Sequence, residues 1–320
     1  MQSTKTIAVL IPCYNEALTV ARVVDDFRRE LPNAIVYVYD NNSKDNTAQI
    51  AREHGAVVCF ESRQGKGNVV RQMFRDIEAD YYVIIDGDDT YPAEAVHDMI
   101  KPLLEGRADL VIGDRLSNAS YQKENKRAFH LFGNNLVRLL IGFLYNMKIN
   151  DAMTGYRAMN RIFVKTFPIL SKGFQIEVEM DIHVADKNWR LVEIPIDYRD
   201  RPPGSVSKLS TVQDGIKVVR MILTLFKDYR PLILFSFVGT LLMLMGIAFG
   251  TTVVFDYLQT GLVERFPTAI LAVGMVISGL LSLVCGLVLD TTAKGNRKQY
   301  ELDVMREYSL INRHDKSERF

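Results

Sequence analysis

Cysteine and tryptophan are scarce in this 320-residue chain, at three and one. Cys13, Cys59 and Cys285 stand far apart, so neither a disulfide framework nor a metal-ligand spacing is present, and a reducing compartment is the simpler expectation. Net charge is nearly absent as well: 39 Lys and Arg against 38 Asp and Glu leave +1, which argues against a nucleic-acid partner recruited by bulk charge. There is no low-complexity segment and no internal repeat. The first strand pattern is not followed by G-x-G-x-x-G, which removes a Rossmann dehydrogenase. The N-terminal apolar run is too short for a signal peptide and leads straight into that strand.

What is present is a split. Mean hydropathy is +0.01 only because a mixed first two thirds is averaged with two long apolar runs. At 36.4 kDa the expectation is two modest domains, or one with appendages. Strand patterns at residues 6–11, 34–39, 56–60, 81–85 and 109–113 alternate with helical patterns at 18–31, 66–77 and 93–104 and a short helix ending at His54. Short connections between them predict right-handed βαβ crossovers and a mainly parallel sheet. Residues 127–145 are apolar almost all round, which fits either a core helix or a helix lying in a membrane interface. Residues 174–187 and 190–198 read as a helix and a closing strand. Residues 210–229 are amphipathic, with Lys217, Arg220 and Lys227 placed to face anionic lipid.

Residues 231–255 and 267–289 contain no charged side chain, and each exceeds the roughly 20 apolar residues that cross a bilayer. Basic residues flank the pair (Lys227 and Arg230 before, Lys294, Arg297 and Lys298 after), which predicts cytoplasmic termini and a cytoplasmic first two thirds. The expected domains are residues 1–209, a juxtamembrane helix at 210–230, two transmembrane helices within 231–289, and a charged tail at 290–320, helical around 298–311.

Three carboxylates, Asp86, Asp88 and Asp89, crowd the end of the fourth strand pattern. Like charges this close need a counter-charge, and two carboxylates plus substrate phosphate oxygens are a common way to hold Mg²⁺ or Mn²⁺. Ligands of open α/β sheets bind beyond the carboxyl ends of strands, where this cluster falls. The plainer alternative is an acidic turn in which Asp89 or Thr90 caps the next helix ahead of Pro92.

Ile11-Pro12-Cys13-Tyr14-Asn15-Glu16, the turn from Asp40 to Thr47, and Asp86-Gly87-Asp88-Asp89 resemble family 2 glycosyltransferases of GT-A fold. The Asp151–Arg157 stretch, the 174–179 stretch and the Arg201-Pro-Pro-Gly loop to Leu209 narrow the likeness to polyprenyl-phosphate glycosyltransferases, the group of dolichyl-phosphate mannose synthase and bactoprenol glucosyltransferases. The resemblance covers roughly residues 5–290. It implies an α/β GT-A nucleotide-sugar-binding domain with a mainly parallel sheet, then amphipathic interface helices and two C-terminal transmembrane helices. The implied reaction is inverting transfer of one hexosyl unit from a nucleotide diphospho-sugar to a membrane polyprenyl phosphate. UDP-glucose or UDP-N-acetylglucosamine is favoured as donor, with GDP-mannose second.

By the same resemblance, Pro12, Tyr14, Asn15, Glu16, Asp40, Asn42, Lys66, Asp86, Gly87 and Asp88 are donor-binding candidates. Asn41 and Asn42 depart from the commoner Asp-Gly at their positions, which leaves the nucleotide open. Asp86, Asp88 and Asp89 are the metal candidates for Mg²⁺ or Mn²⁺. The catalytic candidates are Asp88, Asp151, Arg201 and Lys208, and Arg115, Arg127, Thr154 and Arg157 are those for the acceptor phosphate. A lipid monophosphate, with a second pKa near ~6, is largely dianionic at neutral pH and needs positioning more than deprotonation. Asp151 is therefore open between base and orienting group. Glu177 and Glu179 are read as sugar-hydroxyl or loop-anchoring carboxylates, and His130 and His183 as structural. The bilayer is a partner; the resemblance adds a homo-oligomer, tetrameric in some relatives, and a flippase as candidates. Two rivals remain: a family 2 enzyme acting on a glycan or glycolipid, and a non-catalytic scaffold. The Q-x-x-R-W motif of processive synthases is absent, Trp189 being followed by Arg190 without it.

Overall fold

The computed structural model describes residues 5–117, 128–204 and 211–317, with side chains described for 5–117, 133–204 and 215–311. The chain forms two compact units, one running to Ile222 and including residues from Asp303 on, the other Leu223–Leu302.

In the first unit seven strands build one sheet: β1 (Ile7–Cys13), β2 (Ile35–Asp40), β3 (Val57–Phe60), β4 (Tyr81–Ile84), β5 (Leu110–Asp114), β6 (Arg157–Asn160) and β7 (Leu191–Pro195), in the order β3-β2-β1-β4-β6-β5-β7. Every neighbouring pair is parallel except those of β6, which lies antiparallel between β4 and β5. The sheet is thus mainly parallel, as expected, and β6 is the addition. Its Arg-Ala-Met-Asn sequence has no β-branched residue and no alternation, so nothing local announces a strand. Its partners supply the reason: Tyr82 stands opposite Met159 and Val83 opposite Ala158, filling the gap between two buried apolar strands.

Helices α1 (Val20–Glu30), α2 (Thr47–Glu53), α3 (Lys66–Asp76) and α4 (Val96–Leu104) connect the early strands. In α1 the buried residues Val20, Val23, Val24 and Phe27 fall on one stripe at helical spacing. A single turn of 3₁₀ helix, Ala93–Ala95, precedes α4, and its N-cap residue is Pro92 with no side-chain cap, so neither Asp89 nor Thr90 serves as a helix cap. Chain order proceeds from β1 outwards to β2 and β3, then returns to β4 on β1's other side. That reversal puts a topological switch point at the carboxyl ends of β1 and β4, the position at which open α/β sheets bind ligands.

The remaining helices of this unit are α5 (Ala128–Tyr145), α6 (Arg161–Thr166), α7 (Ile176–Lys187) and α8 (Thr211–Tyr229), the last extending past Ile222. Of the two readings of the apolar α5, neither alone describes it. Val137, Ile141 and Tyr145 are buried, while Leu139 and Phe143 are 67% and 83% exposed. The helix has a core face and an outward apolar stripe.

The second unit holds most of α9 and α10. Helices α9 (Pro231–Thr260) and α10 (Phe266–Ser317) are long and apolar enough to cross a membrane. They pack through glycines: a Cβ at Gly279 would come within 2.6 Å of the Gly239 carbonyl oxygen, and Ser282 Oγ donates to the Phe235 carbonyl at 3.0 Å. The tail, expected to be helical around 298–311, is helical there and continues α10 without a break, since the sequence between Leu289 and Lys298 holds a glycine but no proline.

Candidate active site

The turns leaving β1 and β2 are stitched to each other. Asn15, in the left-handed region at φ 55°, receives the Lys44 amide on Oδ1 at 2.7 Å, while its own amide donates to Ser43 Oγ at 2.9 Å. The Glu16 amide donates to Thr47 Oγ1 at 2.8 Å. Asn41 is buried and donates from Nδ2 to the carbonyls of Glu61 and Arg63, while its Oδ1 accepts from the Gly65 amide at 2.7 Å. Asn42, at φ 63°, donates to the Ser62 carbonyl at 2.8 Å. The two asparagines that depart from the common turn therefore hold the 61–65 loop in place. Asp40 accepts the Ser43 amide on Oδ2, and its buried Oδ1 has no donor among the described residues.

Beyond β4, each carboxylate meets a cation. Asp86 accepts from Lys66 Nζ at 2.5 Å, and the same ammonium reaches Glu177 at 2.6 Å from α7. Burial opposes the Lys66 charge, yet the two carboxylates outweigh it and the pKa moves up. Burial pushes the Glu177 carboxyl up, against the pull of Lys66. Asp88 accepts Thr90 Oγ1 at 2.6 Å on one oxygen and pairs with Arg201 on the other. Burial, with Asp86 beside it, raises the Asp88 pKa against the pull of Arg201. Asp89 sits at φ 57° and pairs with Arg22 at 3.0 Å. Two glycines allow this crowding. A Cβ at Gly155 would overlap the Asp86 carboxylate, and one at Gly87 would come within 2.7 Å of Cys13 Sγ.

A second charged pair lies beside the first. Arg115 donates to Asp151 through Nε at 2.6 Å and Nη2 at 2.9 Å, a bidentate fork, and its guanidinium lies over the rings of Tyr91 and Tyr198. Asn134 on α5 donates to the same Asp151 at 2.9 Å. Burial works against ionisation of Asp151, but Arg115 and Asn134 prevail and its pKa is lowered. Tyr91 accepts from the Gly155 amide at 2.9 Å and from Arg115 Nη1 at 3.3 Å. The chain from Asp86 through Gly155, Tyr91 and Arg115 to Asp151 is continuous.

Residues 8–167 match the sequence profile of glycosyl transferase family 2. The chain belongs to that family. Glycosyltransferase AglJ of Haloferax volcanii is 31% identical over 300 residues, covering 93% of this chain and 97% of that protein. A dolichyl-phosphate hexose transferase of the same organism is 28% identical over 224 residues, 70% of this chain and 95% of that protein. In fold the chain resembles glucosyl-3-phosphoglycerate synthase from Mycobacterium tuberculosis, solved with Mn²⁺, UDP and glucosyl-3-phosphoglycerate. That likeness has a TM-score of 0.54 at 21% identity and covers 69% of this chain and 79% of the other.

The other residues singled out in the sequence have these surroundings. Lys66, expected at a phosphate, is held between Asp86 and Glu177. Asp89, expected at the metal, is turned to Arg22. Arg157, expected at the acceptor phosphate, is fully buried: it donates to Asp181 from Nη1 at 2.5 Å and Nη2 at 3.2 Å, and to the carbonyls of Thr154 and Ala152. Its charge holds the 151–156 loop from within. Thr154 is buried beside Tyr91, at 3.5 Å between hydroxyls. Glu179 accepts the amides of Leu170 and Ser171, both at 2.9 Å, the loop-anchoring alternative. Pro12 stands opposite Tyr39 at the end of β1, and Tyr14 is half-buried beyond it. Arg127 and Lys208 lie outside the described residues. His183 packs edge-on to Phe163 and Phe167 as a core ring; the side chain of His130 lies outside the described ones. Sequence reading missed Tyr91, Asn134 and Asp181. For Asp181 a signal existed: α7 carries Glu177, Glu179, Asp181 and Asp186 among apolar residues on every side, which requires buried partners.

Proposed function

We propose that the chain transfers one hexosyl unit from a nucleotide diphospho-sugar to a polyprenyl phosphate, with inversion at the anomeric carbon. The observation that carries this reading is the pairing of two adjoining charged centres: the Asp86–Asp88 carboxylates and the Arg115–Asp151 fork, joined through Gly155 and Tyr91. The first suits a departing diphosphate and the second an incoming phosphate. UDP-glucose or UDP-N-acetylglucosamine is the favoured donor and GDP-mannose the second.

The donor end uses Asp40 Oδ1, a buried acceptor free to take a base N–H, together with the turns at Asn15 and Asn42. Asp86 and Asp88 offer hard oxygen ligands, and Lys66 and Arg201 already supply the positive charge these carboxylates demand. No group of three or more metal-ligating side chains occurs among the described residues, so the site fits Mg²⁺ or Mn²⁺ only as a partner of substrate phosphate oxygens. When bound, the ion supplies Lewis-acid help to the leaving diphosphate. Arg201 can exchange Asp88 for the diphosphate as donor and metal enter, and Lys208 is assigned to the same loop.

At the acceptor end, a lipid phosphate already dianionic needs cations and geometry rather than a base. Asp151 is a poor base here: Arg115 and Asn134 occupy its oxygens and its pKa is depressed. It acts as the fixed anion that orients Arg115. Arg127 is assigned to the same phosphate. The apolar stripe of α5, with Ile216 and Leu223 exposed on α8, suits a bilayer that holds the acceptor. In this reading α9 and α10 span the membrane with both termini cytoplasmic, as the flanking basic residues direct. The domain limits 1–209, 210–230, 231–289 and 290–320 follow from it.

The test is a donor panel with purified full-length protein, polyprenyl phosphate and Mg²⁺ or Mn²⁺, scoring sugar that partitions into the organic phase, beside Asp88→Ala. One donor giving a metal-dependent lipid product, reduced at least about a hundredfold in the variant, is expected. Absence of lipid product from every donor, with nucleotide binding intact, would falsify the polyprenyl-phosphate reading and turn attention to a glycan acceptor or a scaffold role.

A further inference from the structure

Resting on the acceptor assignment just made, we propose that Tyr91 and Asn134 are the positioning residues that hold Arg115 in register with the donor end of the site. Neither touches the expected reacting atoms; both act through the Arg115–Asp151 pair.

The geometry is specific. A bidentate guanidinium–carboxylate fork fixes the two planes but leaves the pair free to swing as a unit. Besides the Arg115 amide, which donates to Asp151 Oδ2 at 3.3 Å, and the Tyr198 ring under the guanidinium, two contacts restrict that motion. The Tyr91 hydroxyl accepts Arg115 Nη1 at 3.3 Å and the Gly155 amide at 2.9 Å, so one oxygen ties the arginine to the backbone that lies against Asp86. The Tyr91 ring, buried edge-on against Tyr156 and Tyr198, cannot follow a moving arginine. From the other side Asn134 donates to Asp151 Oδ1 at 2.9 Å, so α5 holds the carboxylate directly. Asn134 is itself buried, at 4% exposure, which is costly for an amide without such a bond. Tyr91 registers the cation and Asn134 registers its counter-ion.

The experiment pairs Tyr91→Phe with Asn134→Asp in the full-length protein. Tyr91→Phe keeps the ring contacts and removes only the oxygen. Its acceptor KM, and the Kd of a short-chain polyprenyl phosphate measured by titration, are expected to rise about tenfold, the scale of one lost bond to a charged group. The donor KM stays near wild type, while the melting temperature falls by a few degrees because the buried Gly155 amide loses its acceptor. A merely structural tyrosine would lower the melting temperature and leave the acceptor KM and Kd unchanged relative to the donor KM, and that result overturns the proposal.

Asn134→Asp is nearly isosteric and sets a second carboxyl against Asp151, which also faces Arg115, Arg157 and the Glu193 side chain at its amide. At low pH the added carboxyl is protonated and donates as the amide does; as pH rises it ionises and repels Asp151. The ratio of the variant's acceptor KM to the wild type's should therefore climb with pH, the acceptor phosphate's own titration being common to both. A constant ratio for a folded variant removes Asn134 from the assignment. If wild-type protein binds no polyprenyl phosphate at all, the acceptor assignment fails and this inference with it. Normal lipid binding and transfer in both variants sinks the inference alone.

Discussion

Asp181 and Arg157 show how much a single buried charge decides. Both are enclosed, Arg157 at 1% exposure, and they pair with each other in the core of the loop. Replacing Arg157 by Leu leaves the Asp181 carboxylate without its cation and two loop carbonyls without a donor. The expected cost is about 3–5 kcal/mol, and Arg157→Met with Asp181→Leu should recover most of it because the desolvation penalty leaves with the pair. Chemical denaturation of the purified protein measures both. A cost below about 1 kcal/mol for the single change would show that the loop is held by something else. The same residue illustrates what sequence conceals: an arginine in a motif beside Asp151 suggests a ligand, and only its surroundings reveal that Asp181, 24 positions away, has claimed it.

Among the elements, α5 is the one whose role the structure sharpened most. Read along the chain it is apolar on nearly every side; folded, it turns Val137, Ile141 and Asn134 inward and leaves Leu139 and Phe143 outside. Exposed apolar side chains on consecutive turns are stabilised by an apolar environment, about 1.5–3 kcal/mol each if fully covered. In the proposed reading that environment is the bilayer. The double change Leu139→Asp and Phe143→Asp should lower transfer to polyprenyl phosphate in vesicles by about tenfold or more while leaving nucleotide affinity and detergent-phase transfer unchanged. Equal activity in vesicles would show that α5 does not meet the membrane. The neighbouring α7 makes the opposite case: its polar residues point inward, where Lys66, Arg157 and the amides of Leu170 and Ser171 meet them.

At the scale of the whole molecule, proton linkage gives a prediction with a definite sign. Burial, with Lys187 contributing, pushes the His183 imidazole down to about 3. Unfolded, a histidine titrates near ~6.5, so between those values the unfolded state binds the proton and the native state does not. Stability attached to His183 is therefore present above ~6.5 and drains away as pH falls towards 3, at up to about 1.4 kcal/mol per pH unit. Asp151, whose pKa is lowered, adds a loss of the same sign below the unfolded carboxylate value. Compared with wild type, His183→Gln should show a shallower fall in stability between pH 6.5 and 4.5, whatever its absolute stability. Parallel curves for the two proteins would mean that the native imidazole takes up its proton over the same pH range as the unfolded one.

The sequence by itself determined a good deal. The alternation of strands and helices, the carboxylates beyond β4 and the two long apolar helices are all local properties, set by side-chain periodicity and by runs of residues that no fold can hide. Family membership rests on such local motifs too, which is why the sheet and the two long apolar helices stand where the pattern placed them. Tertiary structure alone decided the partners. Lys66 and Glu177 are 111 positions apart, and Arg115 and Asp151 are 36 apart, so no spacing rule joins them. The antiparallel β6 is a strand only because β4 and β5 leave an unpaired edge on either side of it. Buried charges and short strands depend on what the rest of the chain brings to them, since a charge is stable inside only beside its counter-ion and an edge only beside its ladder.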